Sequence, residues 1–218
     1  MADIELVIFD LDGTLLDTIE DLGDSVNEVL RSRQLPEHSY EDYREYIGDG
    51  MEMLIRRSLP GELASDPEVF AAVLGDCQAA YGRNWNNKSS PYEGIQECLE
   101  SLNRQGVKLA VLSNKPHHFT GLCVSELLPG IPFAEVCGDR EGIPRKPDPG
   151  GALAIAGGLG IDAGRTLFAG DTDVDIITAL GAGMVPVGVL WGFRGEDELR
   201  QAGARHLVAH PDEIVSLA

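Results

Sequence analysis

Four short stretches of this chain collect residues able to do chemistry. The first, DLDGT, sets Asp10 and Asp12 two residues apart, with Gly13 and Thr14 behind them. Residues two apart on a strand or its extension point the same way, so both carboxylates can face one crevice. Like charges that close repel unless a cation intervenes or one carboxylate holds a proton. A hard, oxygen-rich pair suits Mg²⁺, which binds one or two carboxylates with waters and a substrate phosphate. The second stretch, GDTDVD, sets Asp171 and Asp175 four residues apart at a helix start, on one face. Negative charge there also suits the helix dipole; Asp173, between them, is expected to be exposed. The third, SNK, offers Ser113 and Asn114 as donors to phosphate oxygens. The fourth, RKPDP, holds Lys146, a compact charge suited to phosphate, beside Arg145. Taken singly, each has a plainer reading: a solvated turn, a helix cap, a polar strand end, a surface lysine.

The elements that must position these residues follow from hydrophobic periodicity. Residues 4–9 are nearly all apolar and predict a strand buried on both faces. From 18 to 33, Ile19, Leu22, Val26, Val29 and Leu30 recur at spacings of three and four, which predicts an amphipathic helix. Helical patterns continue over 40–47, 51–58 and 66–84, punctuated by Gly48, Gly50, Pro60 and Gly61. No strand is expected between 18 and 88, so this block reads as an all-helical insertion with 86–94 as the return linker. Beyond it, strands at 107–113, 132–137, 165–170, 184–190 and 206–208 alternate with helices at 95–104, 117–127, 150–158, 174–180, 196–201 and 211–217. Such alternation predicts an α/β fold, a doubly wound, Rossmann-like parallel-sheet core. The core takes residues 1–16 and 89–218, and the helical domain takes 17–88. Ligands of such sheets bind beyond the carboxyl ends of the strands, where the Asp-rich stretches fall.

The chain has 218 residues, 43% of them hydrophobic, with 17 basic against 36 acidic side chains and a net charge of −19. That balance argues against a nucleic-acid partner, whose phosphates need a basic footprint. An anionic substrate must then be drawn in by local cations. The apolar runs are too short to span a bilayer, and no basic segment precedes the first strand, so a cytoplasmic location without membrane contact is expected. Cys77, Cys98, Cys123 and Cys137 are widely spaced, with no CxxC or Cys/His cluster, and read as free thiols.

The order Asp-x-Asp, Ser, Lys, Gly-Asp-xxx-Asp, each after a strand, is a joint signal. Through DLDGTLLDT, LSNKP, RKPDP and GDTDVD the chain resembles the haloacid dehalogenase superfamily, specifically its phosphatases, from Leu6 to about Trp191. YIGDGMEMLI and VLWGFRG are similar to stretches of the phosphoglycolate phosphatases. The helical block looks like the cap that these enzymes insert after the first motif. The resemblance implies Mg²⁺-dependent hydrolysis of a small phosphorylated metabolite, by a monomer or homodimer. Asp10 would be the nucleophile, forming an aspartyl-phosphate. Asp12 would be general acid and then base, in surroundings that favour its protonated form, with Thr14 orienting it. Ser113, Asn114, Gly13 and Thr14 would bind phosphate, and Lys146 would hold the phosphoryl group and restrain Asp10. Asp10, Asp171, Asp175 and the carbonyl of Asp12 would hold the metal.

Asp12 argues against a dehalogenase or a phosphonatase, and Thr14 stands where the phosphosugar mutases usually carry valine. Pyrophosphatase, mutase and a non-catalytic binding protein on the same fold remain the alternatives. Arg56 and Arg57 are candidates to meet a substrate carboxylate but read first as solvated helix-face residues, and His117 is a candidate to line the site but reads first as a residue at a helix N-terminus. Trp191 and Phe193 are expected to pack the cap or to cover the sheet end. Asp17 reads as a cap for the following helix. Thr172 stands where serine is frequent, and Gly150 and Gly151 where bulkier residues are common.

Overall fold

The structure is a computed structural model that describes residues 3–218. Every side chain of β1 (Leu6–Phe9) is fully buried. Val7 and Phe9 enter one apolar cluster while Leu6 and Ile8 enter another. Period-two alternation requires this of a strand covered on both faces. The chain then makes β2 (Leu16–Asp17) and enters a run of helices: α1 (Ile19–Ser32), α2 (Tyr40–Tyr46), α3 (Met51–Ser58), α4 (Gly61–Ser65) and α5 (Pro67–Asn84). It returns through β3 (Ser90–Pro91), antiparallel to β2. After it come α6 (Ile95–Arg104), β4 (Lys108–Pro116), α7 (His117–Leu127), β5 (Phe133–Asp139) and α8 (Gly150–Leu159). The chain ends with β6 (Thr166–Gly170), α9 (Asp173–Gly181), β7 (Val185–Val189), α10 (Glu196–Ala202), β8 (His206–Val208) and α11 (Asp212–Val215).

Among the described residues the main sheet is six-stranded and parallel, in the order β5-β4-β1-β6-β7-β8. β1 pairs with β4 on one side and β6 on the other, with Phe9 level with both Val111 and Ala169. The strand order reverses at β1, so a crevice opens beyond its carboxyl end. The architecture is the expected doubly wound α/β core with a helical block. The first apolar cluster runs without a break from Phe9 through Leu11, Leu15 and Leu16 to Leu22, Tyr43, Leu54 and Val73, so block and sheet share one core. The two crossings are also tied together. Asp21 of α1, buried to 1% exposure, accepts from the backbone N–H groups of Lys88 (3.0 Å) and Ser89 (2.8 Å) and from Ser89 Oγ (2.7 Å).

Three elements differ from the periodicity reading. The β2–β3 ribbon has two residues a side, too few to show alternation. α4 is five residues long and lies just after Pro60. β4 continues three residues past Ser113, because polar Asn114 and Lys115 are as buried as the apolar run before them. At Asp17, Oδ1 accepts from Ile19 N only at 3.4 Å, and Thr18 occupies the N-cap of α1. All four cysteines are free and buried, and burial pushes the Cys77 and Cys98 thiols up to about 12. Among the described residues no helix is long and apolar enough to cross a membrane.

Candidate active site

The strand ends bring the singled-out residues together. Asp10 follows β1, and its Oδ1 lies 2.7 Å from Lys146 Nζ. The same ammonium donates to Asp175 Oδ1 at 2.6 Å. Carboxylate oxygens of Asp10, Asp171 and Asp175 all lie within 4.8 Å of one another, and all three residues are buried. One ammonium among three carboxylates leaves the floor short of positive charge. The cost shows in the acids themselves. Burial pushes Asp10 up to about 7, against the pull of Lys146, and pushes Asp171 up to about 8, with Asp10 and Asp175 adding repulsion. A compact all-oxygen donor set of this kind fits a divalent metal ion, which would supply the missing charge.

A pH prediction follows. A folded-state pKa above the unfolded value of 3.8 gives stability that is present below it and is lost as pH rises through the folded value. The metal-free protein is therefore expected to melt progressively lower from about pH 4 to pH 8. A divalent cation should raise the melting temperature more at pH 8 than at pH 5. Thermal melts in chelator, with and without added metal, read this directly; a flat pH profile would contradict it.

Each acid is oriented by its neighbours. Thr14 Oγ1 donates to Asp171 Oδ1 (2.8 Å), and the N–H of Phe193 donates to Oδ2 (2.9 Å). Gly13 and Gly192 lie against the Asp171 side chain, where an added Cβ would stand 2.3 Å from Oδ2 and 2.2 Å from Cβ respectively. Gly13 also sits at φ +89°, where only glycine is comfortable. Asp175 Oδ2 accepts from Thr172 N and Oγ1 (3.1 and 2.8 Å), the capping box of α9. Asp175 thus caps its helix with one oxygen and faces Lys146 with the other. Asp173 is half-buried rather than exposed.

Asp12 is held differently from what was expected. Thr14 turns to Asp171, not to Asp12, because the turn closed by Gly13 N→Leu16 O (2.8 Å) carries it across the crevice. Asp12 instead accepts from Thr18 Oγ1 (2.8 Å) and from Lys115 Nζ at both oxygens (2.9 and 3.0 Å). All three bonds are donated to the Asp12 carboxylate and fix its orientation towards the cleft. The side chain also lies outside the three-acid cluster. Burial alone would lower Lys115, and the adjacent Asp12 charge more than reverses this, holding it above its ordinary range. The sequence offered a signal for Lys115. With β4 running through Pro116, Lys115 shares a face with Ser113.

Of the residues expected to bind phosphate, Ser113 lines the cleft; its hydroxyl accepts from Lys115 N (3.2 Å) and keeps its own proton to donate. The Gly13 N–H and the Thr14 hydroxyl are engaged as described. The Asn114 amide is a brace. It donates to Lys146 O (3.0 Å) and Gly48 O (3.1 Å), and it accepts from Lys146 N (2.9 Å). His117 accepts from Gly138 N at 3.2 Å, next to the site rather than in it.

The helical block closes over this floor. Arg194 donates to the carbonyls of Arg44, Glu45 (3.2 Å) and Ile47 (3.1 Å) at the end of α2, and Arg44 returns a bond to Gly192 O (3.2 Å). Trp191 Nε1 donates to Thr14 O (2.9 Å), so Trp191 closes the sheet end and Phe193 orients Asp171. Arg56 stacks 4.1 Å from the Phe70 ring, and Arg57 binds Tyr46 O (2.8 Å) and Asp49, so both serve the helical block. The cleft left between block and floor has about 450 Å³ of empty space, mouth included. Arg194→Ala removes charged hydrogen bonds worth about 1.5–3 kcal/mol each. It is expected to lower kcat/KM for a phosphate ester about 10-fold or more while leaving metal affinity unchanged. Steady-state kinetics and metal titration test this; unaltered kinetics would show that the grip does not govern closure.

Comparison with known proteins agrees with this geometry. Residues 7–189 match the family model of the haloacid dehalogenase-like hydrolases. A phosphoglycolate phosphatase of Pseudomonas fluorescens is 34% identical over 191 residues, 86% of this chain and 70% of that one. One from Psychrobacter arcticus is 30% identical over 204 residues, 91% and 89% of the two chains. A solved structure from Haemophilus somnus, described as a predicted phosphoglycolate phosphatase, superposes with a TM-score of 0.91 at 29% identity, covering 100% of this chain and 99% of that one. The chain belongs to the haloacid dehalogenase-like hydrolases and is one of their phosphatases.

Proposed function

We propose that the chain hydrolyses 2-phosphoglycolate or a closely similar small phosphate monoester, with Mg²⁺ at Asp10, Asp171, Asp175 and the carbonyl of Asp12. One observation carries this reading: Asp10 shares Lys146 with Asp175, clusters with Asp171 and Asp175, and faces a small cleft under the helical block. Mg²⁺ there supplies charge that offsets the repulsion between Asp10 and an incoming phosphate. The Asp10 carboxylate attacks phosphorus, the ester P–O bond breaks, and an aspartyl-phosphate forms on Asp10. Asp12 gives a proton to the leaving oxygen. Its carboxylate, held by Lys115 and Thr18, then takes a proton from the water that attacks the acyl phosphate. Inorganic phosphate leaves and Asp10 is restored. Lys146 neutralises Asp10 and the phosphoryl oxygens, and the Ser113 hydroxyl donates to one of them.

In this reading residues 17–88 are a cap domain on a core of residues 1–16 and 89–218. The enzyme works in the cytoplasm, as a monomer or homodimer, without nucleic-acid or membrane partners; the net charge of −19 supports the absence of nucleic acid. The test is phosphate release in Mg²⁺ from phosphoglycolate, pyrophosphate, hexose phosphates and nucleotides. Phosphoglycolate is expected to give the highest kcat/KM. A higher value for pyrophosphate, or isomerisation of a hexose 1-phosphate without phosphate release, overturns the reading.

A further inference from the structure

We propose that Lys115 is a specificity-determining residue. It binds a carboxylate carried by the substrate one carbon beyond the ester carbon, while it also holds Asp12. The proposal rests on the small-ester phosphatase reading above and names what the leaving group must carry.

In the cleft lined by Asp10 and Asp12, the helical block contributes Leu22, Ile47, Met51 and Leu54, all apolar, with Gly48 and Gly50 between them. Among the described residues, Lys115 is the one cation in the lining. The other nearby cations are engaged elsewhere. Lys146 is bound to Asp10 and Asp175, and Arg145 lies 2.7 Å from Asp139. Arg56 and Arg57 serve the helical block. An anionic leaving group entering a chain of net charge −19 therefore has Lys115 to meet, or no side-chain cation at all.

Lys115 is built for a fixed position. Its side chain is 2% exposed, and the ammonium lies over the Tyr81 ring, 4.7 Å from its centroid. Tyr81, on α5, is itself buried. Such a bed favours a cation without using one of its hydrogen-bond donors. An ammonium has three N–H groups. Two account for the Asp12 contacts, and the third makes no hydrogen bond of ordinary length among the described residues. A proton donor must come within about 2.6–3.2 Å of the ester oxygen it serves. Asp12 in that position brings Lys115, its direct partner, beside the atoms that follow the ester oxygen. A carboxylate one carbon further on would then lie beside Lys115, in a cleft whose remaining side-chain lining from the helical block, Leu22, Ile47, Met51 and Leu54, offers it no donor.

The test uses three esters of matched length: phosphoglycolate, ethyl phosphate and phosphoethanolamine. In the wild-type enzyme with Mg²⁺, kcat/KM is expected to fall in the order carboxylate, neutral, ammonium. A wild-type enzyme without preference for phosphoglycolate over ethyl phosphate overturns both this proposal and the phosphoglycolate reading. Lys115→Met is expected to slow both esters through Asp12, mostly in kcat. Beyond that, it should shrink the phosphoglycolate preference about 10- to 100-fold, the loss of a hydrogen bond to a charged group, chiefly through KM. Lys115→Arg should keep part of the preference. If Lys115→Met slows both esters by the same factor, the lysine acts only by positioning Asp12; the proposal then fails while the phosphoglycolate reading stands. If the Met variant does not fold, Lys115→Arg decides the matter: a preference for phosphoglycolate over ethyl phosphate equal to that of the wild type overturns the proposal.

Discussion

Asp10→Asn is expected to abolish phosphate release, on the order of 10⁴-fold or more in kcat, while leaving the protein folded. An amide oxygen is no nucleophile towards phosphorus, and removing a covalent nucleophile costs most of the catalytic advantage. The stability half of the expectation is less usual. Asp10 is a buried acid pushed up to about 7 by desolvation, so its charge is a burden on the metal-free fold at pH 8. Lys146 keeps Asp175 as a partner at 2.6 Å when the Asp10 charge is removed. The variant should therefore melt no lower than wild type at pH 8 in chelator. Its melting temperature should fall less between pH 4 and pH 8, since one of the two raised acids is gone. It should also gain less from added Mg²⁺. Melting curves paired with a phosphate-release assay test this. Residual turnover within 10-fold of wild type would remove Asp10 from the chemistry, and a variant unfolded at pH 8 would show that the carboxylate supports the fold.

Lys146→Met is expected to do the reverse, harming stability as well as activity. Burial by itself lowers the Lys146 ammonium, yet the carboxylates of Asp10 and Asp175 overcome this and hold it above its ordinary range. With a side chain 3% exposed, the lysine is the internal counter-ion of the site. Its removal leaves buried carboxylates unpaired, a loss of about 3–5 kcal/mol for breaking a buried pair. The loss should be greatest at pH 8 and smaller at pH 5, where the acids take up protons, and added Mg²⁺ should restore part of it. Turnover should fall about 10²–10³-fold or more, as for other fixed donors to transition-state charge. Urea denaturation at the two pH values, with and without Mg²⁺, measures the first effect. Equal stability of variant and wild type at pH 8 without metal would mean that the three acids share their protons without needing the lysine.

These contrasting expectations show where the sequence stops. Asp10, Asp171, Asp175 and Lys146 were legible because each follows a strand, and a parallel sheet gathers its strand ends on one side. The pairings within the site were not. Thr14 lies two residues from Asp12, yet bonds Asp171, 157 positions away. Asp12 finds its partner 103 positions on, in Lys115. Asn114 reads as a phosphate donor from its place in SNK, and the fold uses it to brace the Lys146 backbone and the Gly48 carbonyl. Arg194 lies in the VLWGFRG stretch, where nothing local shows that it grips the carbonyls at the end of α2. By apolarity alone the polar Asn114 and Lys115 read as a strand end, yet both are buried and β4 runs on through Pro116.

The sequence by itself determined the class of fold, the helical block between two arms of the core, and the kinds of group at each strand end. Those follow from periods of two and 3.6 and from the Asp, Ser and Lys types themselves. The tertiary structure alone decided which donor meets which acceptor, what wall the leaving group faces, and that the floor holds three acids to one lysine. The physical reason is that periodicity fixes the face on which a side chain stands, whereas its partner is set by strand order. β1 lies between β4 and β6, so Asp12 meets the lysine of one neighbour while Thr14 meets the aspartate of the other.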